Sequence, residues 1–145
     1  MSDTVKIEDV PAATTWARLE NDPGAVLVDV RTRAEWTFVG VPDLGALNKR
    51  VVAVEWQTFP DQRVDPGFVE KLTHHLDAVG ATRDTQVFFL CRSGARSQAA
   101  ALTMAAAGYR RCCNVEDGFE GPLDATRQRG HVAGWKAAGL PWRQG

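Results

Sequence analysis

An α/β fold with a mostly parallel sheet, covered by helices on both faces, is what this sequence predicts, and three observations carry the expectation. Apolar, β-branched runs (AVLVDV, RVVAVE, QVFFL) alternate with segments whose apolar residues recur at helical spacing. The clearest runs are apolar throughout, as strands covered on both faces are. Glycines and prolines punctuate the junctions. The 145 residues suit one domain, and 44% hydrophobic residues suffice for a core without staples.

The elements follow in chain order. Lys6 to Val10 reads as a short first strand. Pro11 to Glu20 reads as a helix with its proline in the first turn and an apolar edge of Trp16 and Leu19. After a turn at Asn21 to Gly24, the run Ala25 to Val30 is a central strand. Thr32 and Glu35 have capping-box spacing, so a short helix starts there; the glycines and prolines between Gly40 and Gly45 break it. Arg50 to Glu55 is another strand. Asp65 before Pro66 reads as a cap and a first helical residue, with Phe68, Val69, Leu72, Leu76 and Val79 forming one apolar face and Gly80 the stop. Gln86 to Leu90 is a third apolar strand, followed by a loop from Cys91 to Ala95 and an alanine-rich helix from Arg96 to Ala107 that Gly108 ends. Arg111 to Val115 is a further strand. Beyond Gly118 the chain is rich in Gly and Pro, and only His131 to Ala138 has helical character. Residues 1–145 are thus expected to form one domain, with residues 121–145 an extension packed on it.

Charge and cysteine usage exclude several classes. A formal net charge of -1 gives no global case for nucleic acid or an acidic membrane surface, and no apolar run reaches the length of a membrane span. The start, MSDTVKIEDV, lacks a basic lead-in and an apolar stretch and does not read as a signal peptide. Cys91, Cys112 and Cys113 offer no C-x-x-C pair, so a disulfide framework is not expected and a reducing, cytoplasmic setting is. Cys112 and Cys113 are strand neighbours that face opposite sides, with a resolving role for either left open. The five tryptophans read as packing residues, with Trp36 and Trp135 candidates to border the site. His74 and His75 are adjacent on a helix and do not converge, and His131 stands alone, so no metal is assigned.

The chemistry concentrates in the segment from Val87 to Ser97. A buried strand ends at Cys91, a glycine-containing loop follows, and a helix begins. Ligands of open α/β sheets sit beyond the carboxyl ends of strands, and a helix start offers free N–H groups and a positive dipole end. Loop amides can form an anion nest, and Arg92 and Arg96 add positive charge. A free cysteine has a pKa of about 8.5, and such surroundings lower it, so a reactive thiolate near neutral pH is expected at Cys91. The same nest suits a persulfide: attack on the outer sulfur of an anionic donor such as thiosulfate would load Cys91, and a second nucleophile would unload it. An inert core cysteine is the bland alternative, and the Arg-Ser-Gly-Ala-Arg context argues against it.

CRSGARS, from Cys91 to Ser97, resembles the active loop of the rhodanese superfamily. LVDVRTRAEW (Leu27 to Trp36) resembles that family's Asp-Val-Arg strand end and acidic helix, NVEDGFEGP (Asn114 to Pro122) the segment after its last sheet strand, and GWKAAGLPW (Gly134 to Trp142) the ending of a bacterial single-domain subgroup. The resemblance covers residues 4 to 145 and implies a five-stranded parallel sheet between helices and a sulfurtransferase or sulfur-carrier activity. It places the persulfide at Cys91 and the anion-binding loop at Arg92, Ser93, Gly94, Ala95, Arg96 and Ser97, with Asp29 and Arg31 scaffolding the site or forming a sheet-end ion pair. It implies no cofactor beyond the covalent persulfide; the donor is a small anionic sulfur compound, and the acceptor a small thiol, cyanide or a protein that takes the persulfide sulfur. Gly40 to Ala46 (GVPDLGA) departs from the Gly-His-Ile-Pro-Gly-Ala stretch of many relatives, which bears on acceptor choice at the site entrance. A cysteine phosphatase or arsenate reductase is the competing enzyme class. Those enzymes use five residues between cysteine and arginine, against four here. A persulfide carrier or a regulatory binding module is the non-enzyme alternative.

Overall fold

A five-stranded, all-parallel sheet organises the molecule, in the order β1–β8–β7–β2–β4. The structure, a computed structural model, describes residues 6–58 and 63–144; residues 1–5, part of the stretch read above for a leader, lie outside it. In chain order the elements are β1 (Glu8–Val10), α1 (Ala12–Asn21), β2 (Val26–Asp29), α2 (Arg33–Phe38), β3 (Val41–Pro42), a 3-10 turn at Gly45–Leu47, β4 (Val52–Ala53), β5 (Gln57–Thr58), β6 (Arg63–Val64), α3 (Phe68–Ala78), β7 (Gln86–Leu90), α4 (Ala95–Ala106), β8 (Arg111–Val115) and β9 (Trp142–Arg143). Among the described residues no helix is long and apolar enough to cross a membrane.

The alternation of side chains along β7 builds two cores. Val87, Phe89 and Cys91 join Val28 and Val30 against Phe68, Leu72 and Leu76 of α3 and Ala100, Ala101 and Met104 of α4. Phe88 and Leu90 join Leu27 and Val115 on the other face, against Leu19 of α1 and the tail residues Phe119 and Trp135. Cys112 belongs to the first core and Cys113 to the second, as expected of strand neighbours.

Local chemistry explains most boundaries. The α2 capping box is complete, with Thr32 Oγ1 accepting the Glu35 amide and the Glu35 carboxylate accepting the Thr32 amide. Gly80 and Gly108 take positive φ just beyond the ends of α3 and α4.

Four expectations need correction. α3 begins at Phe68 rather than at Pro66, because the Asp65 carboxylate accepts the Gly67 amide and closes a turn first. Val79 is 55% exposed, since it caps α3 past the part that faces the sheet. The stretch from His131 to Ala138 forms turns, because Gly130, Gly134 and Gly139 all take positive φ. The strand expected over Arg50 to Glu55 shrinks to β4, although the amides of Val54 and Trp56 still reach Asp29 O and Val30 O. A short hairpin, β5 with β6, follows it and has no counterpart in the expectations.

Candidate active site

The register of β7 places Cys91. Its side chain shares the face of Val87 and Phe89 and emerges where β7 ends and α4 begins. Gly94, the N-cap of α4, holds φ at +108°, and a Cβ there would fall on the Glu116 carbonyl. This turn directs the Gly94 N–H at Cys91 Sγ, 3.1 Å away. Ser97, in the first turn of α4, puts its Oγ 3.2 Å from the same sulfur. Cys91 is only 1% exposed, yet it lines a pocket of about 480 Å³ together with Thr32, Ala34, Glu35, Gln57, Arg92, Ser93, Ala95 and Arg96. The thiol is therefore shielded from bulk water and still borders a reachable space.

A buried polar relay stands behind the sulfur. Ser97 Oγ lies 2.5 Å from Asn114 Oδ1. Asn114 Nδ2 donates to Asp9 Oδ1 at 3.0 Å and to Gly94 O at 3.2 Å. With two acceptors facing its nitrogen, the amide must accept through its oxygen. The single Ser97 proton can serve only one of Asn114 Oδ1, Gly94 O and the sulfur at a time, and the shortest contact is to Asn114. On the other side of the loop, the amides of Phe119, Glu120 and Gly121 satisfy the carbonyls of Cys91 and Arg92 at 2.8–3.1 Å.

The two arginines differ. The Arg96 guanidinium grips Glu35 at 2.7 and 3.0 Å in a two-pronged ion pair. Glu35 Oε1 also accepts the Thr32 amide at 3.2 Å and the Thr32 hydroxyl at 3.1 Å, so the cap of α2 doubles as the anchor of Arg96. Burial by itself would raise the Glu35 pKa, but Arg96, the Thr32 amide and the charge of Arg31 together hold it below the usual carboxylate value. Arg96 is correspondingly raised, its hydrogen bond to Glu35 outweighing burial. Arg92 is exposed at the rim and forms no ion pair among the described residues.

Asp29 and Arg31 form a buried ion pair at the end of β2, with Arg31 Nη2 2.7 Å from Asp29 Oδ2 and side chains 0% and 1% exposed. Arg31 also donates to Gly40 O at 2.8 Å and stacks on the Phe119 ring at 4.2 Å. Neither residue lines the Cys91 pocket. The pair ties β2 to the segment after α2 and to the tail. The Gly40–Ala46 segment does not line the Cys91 pocket either: β3 pairs with β9, which draws it to a separate hollow of about 620 Å³ lined by Asp29, Trp36, Asp43, Lys49 and Arg143 among others. Trp36 borders that hollow, and Trp135 is wholly buried in the second core, so neither tryptophan flanks the sulfur. Cys112 and Cys113 line a different hollow, with Glu8, Arg18 and Arg111; burial pushes the Cys112 thiol up to about 12 and raises Cys113 as well. Both are poor thiolates, which disfavours a resolving role.

Three residues of the site escaped the sequence. Glu35 was legible only as a cap. Asn114 carried a signal, a lone amide inside the apolar strand RCCNV, because a buried amide must find partners. Gln57 carried none.

Comparison with known proteins places the chain in a family. The family described as "STR4 middle domain" matches residues 8–145. An uncharacterized protein of Rickettsia conorii is 35% identical over 139 residues, covering 96% of this chain and 99% of that protein. Rhodanese-like domain-containing protein 4 of the Arabidopsis thaliana chloroplast is 28% identical over 131 residues, which cover 90% of this chain and 24% of that longer protein. The crystal structure of Rv0390 from M. tuberculosis superposes with a TM-score of 0.84 at 48% identity, over 95% of this chain and 98% of that one. The chain belongs to the STR4 middle domain family and is a rhodanese-superfamily domain over nearly its whole length.

Proposed function

We propose that this protein is a sulfurtransferase that carries sulfane sulfur as a persulfide on Cys91. A rhodanese-like fold is consistent with sulfur transfer in general. The observation that carries the reading to this residue is the convergence of the Gly94 amide and the Ser97 hydroxyl on Sγ at the wall of a pocket. Donors fixed in place before reaction stabilise negative charge on sulfur without reorganising. The Cys91 thiolate attacks the outer sulfur of thiosulfate or of a persulfide; the old S–S bond breaks, sulfite or a thiolate leaves, and a new S–S bond forms on Cys91. A thiol or cyanide then attacks the terminal sulfur and regenerates the thiolate. Arg92, Ser93, Gly94, Ala95, Arg96 and Ser97 are the anion-binding loop in this scheme, with Asp29 and Arg31 bracing its surroundings. No cofactor is required. Three free cysteines suit a reducing, cytoplasmic setting.

Intact-mass measurement tests this. Treatment with thiosulfate or a small persulfide should add one sulfur atom, which cyanide or a thiol removes, and Cys91→Ser should add none. Wild-type protein that gains no sulfur from either donor would sink the proposal.

A further inference from the structure

Among the described residues, the wall of the Cys91 pocket holds two cations and one carboxylate: Arg92, Arg96 and Glu35. The other described lining groups are neutral or the sulfur itself. Arg96 is the better placed cation, being half-buried, but both prongs of its guanidinium are engaged by Glu35. Glu35 cannot easily swing aside, because the amide and hydroxyl of Thr32 hold Oε1 from behind. The pocket therefore offers a donor roughly one net positive charge, carried by the exposed Arg92, beside a fixed carboxylate.

From this arrangement we infer that Glu35, by occupying Arg96, tunes the pocket toward singly charged sulfur donors such as alkyl persulfides and against the dianion thiosulfate. The inference rests on the sulfurtransferase reading above and adds the donor class to it. With an alkyl persulfide the balance is Cys91–S⁻ + R–S–S⁻ → Cys91–S–S⁻ + R–S⁻: the donor S–S bond breaks, a new one forms on Cys91, and the thiolate R–S⁻ leaves. With thiosulfate it is Cys91–S⁻ + S–SO₃²⁻ → Cys91–S–S⁻ + SO₃²⁻. The second route brings a dianion to a thiolate and needs more positive charge around the sulfur than the first. Glu35 is thus a specificity-determining residue that acts through Arg96.

The test is the ratio of second-order rates at which cysteine persulfide and thiosulfate load Cys91, read by quenched intact mass at fixed pH. In Glu35→Gln the uncharged side chain can still close the α2 cap. It frees Arg96, and the persulfide-to-thiosulfate ratio should fall about tenfold. Glu35→Asp keeps the charge and should keep the ratio near wild type. Arg96→Gln leaves the carboxylate uncompensated and should move the ratio the opposite way, while the double variant Glu35→Gln, Arg96→Gln returns toward wild type. A merely structural role for Glu35 would slow both donors alike and leave the ratio where it was. Ratios that ignore Glu35 and Arg96 while both donors still load Cys91 overturn this inference alone. Loading from neither donor in the wild-type protein overturns the sulfurtransferase reading and this inference together.

Discussion

At position 114 a single amide serves three partners, and its loss should be felt at each. Asn114→Ala strips Asp9, Gly94 O and the Ser97 hydroxyl of a buried partner. Leaving buried polar groups unmet costs about 1–3 kcal/mol, so the unfolding free energy read from denaturant titration should drop by that much and its midpoint should move down. Ser97→Ala is a gentler probe. It removes the hydroxyl beside Cys91 Sγ, and sulfur loading should slow roughly tenfold or more, while stability falls by about 1–3 kcal/mol for the one acceptor left unmet, Asn114 Oδ1. Unchanged loading in that variant would show that the hydroxyl plays no part. Gly94 stands apart from both, since its constraint is the backbone: Gly94→Ala forces a side chain into the left-handed region and onto the Glu116 carbonyl. Such strain costs of order 1–3 kcal/mol before any clash is added, and alkylation of Cys91 should show a disordered loop.

Among the elements, α2 has the widest reach for its length. It is a helix of six residues whose N3 carboxylate closes its own cap and fixes an arginine on α4. Glu35→Ala should therefore cost about 1 kcal/mol for the cap alone and leave Arg96 loose in the pocket. The pH dependence follows from the lowered Glu35 pKa. A carboxylate held below its unfolded value of 4.5 stabilises the fold fully above that value. The contribution fades as the pH falls from 4.5 through the lower folded value. Glu35→Gln should flatten that part of an acid denaturation curve; an identical slope in both proteins would refute the coupling. This element also marks how far the sequence could be read. Thr32 and Glu35 declare the cap because the capping box is local in the chain. The partnership of Glu35 with Arg96 bridges 61 positions and leaves no such trace. The same division holds elsewhere. Gln86–Leu90 and Arg111–Val115 are strands as read, because a continuous apolar run next to a glycine-bearing turn leaves little choice. The edge strand at Val52–Ala53 was read too long and the hairpin at Gln57 was missed, because two-residue ladders carry no periodicity. Cys91 and its loop were legible from strand, glycine and arginines together. Where Arg96 points was not, since that depends on which element packs opposite.

For the molecule as a whole, the tail counts as much as the sheet. We read residues 121–145 as an extension of one domain. Trp135 is 0% exposed in the second core, meets Trp16 edge-on at 5.9 Å and donates Nε1–H to Pro141 O at 2.7 Å. Trp135→Ala should destabilise the protein by about 3–5 kcal/mol, measured by denaturant unfolding, against well under 1 for the exposed Leu123→Ala. The tail also reaches the sulfur indirectly: Trp135 N donates to Gly118 O, and the amides of 119 to 121 hold the carbonyls of Cys91 and Arg92. That connection sets an order of events during biosynthesis. While residues 119–143 are still inside the ribosome, the strand bearing Cys91 can find its neighbours, but its loop carbonyls have no donors. The nascent thiol is then an unshaped cysteine, open to any alkylating or oxidising agent. Ribosome-bound chains stalled before residue 119 has emerged should be modified at Cys91 far faster than released protein, so reactivity toward such agents reports completion of the tail.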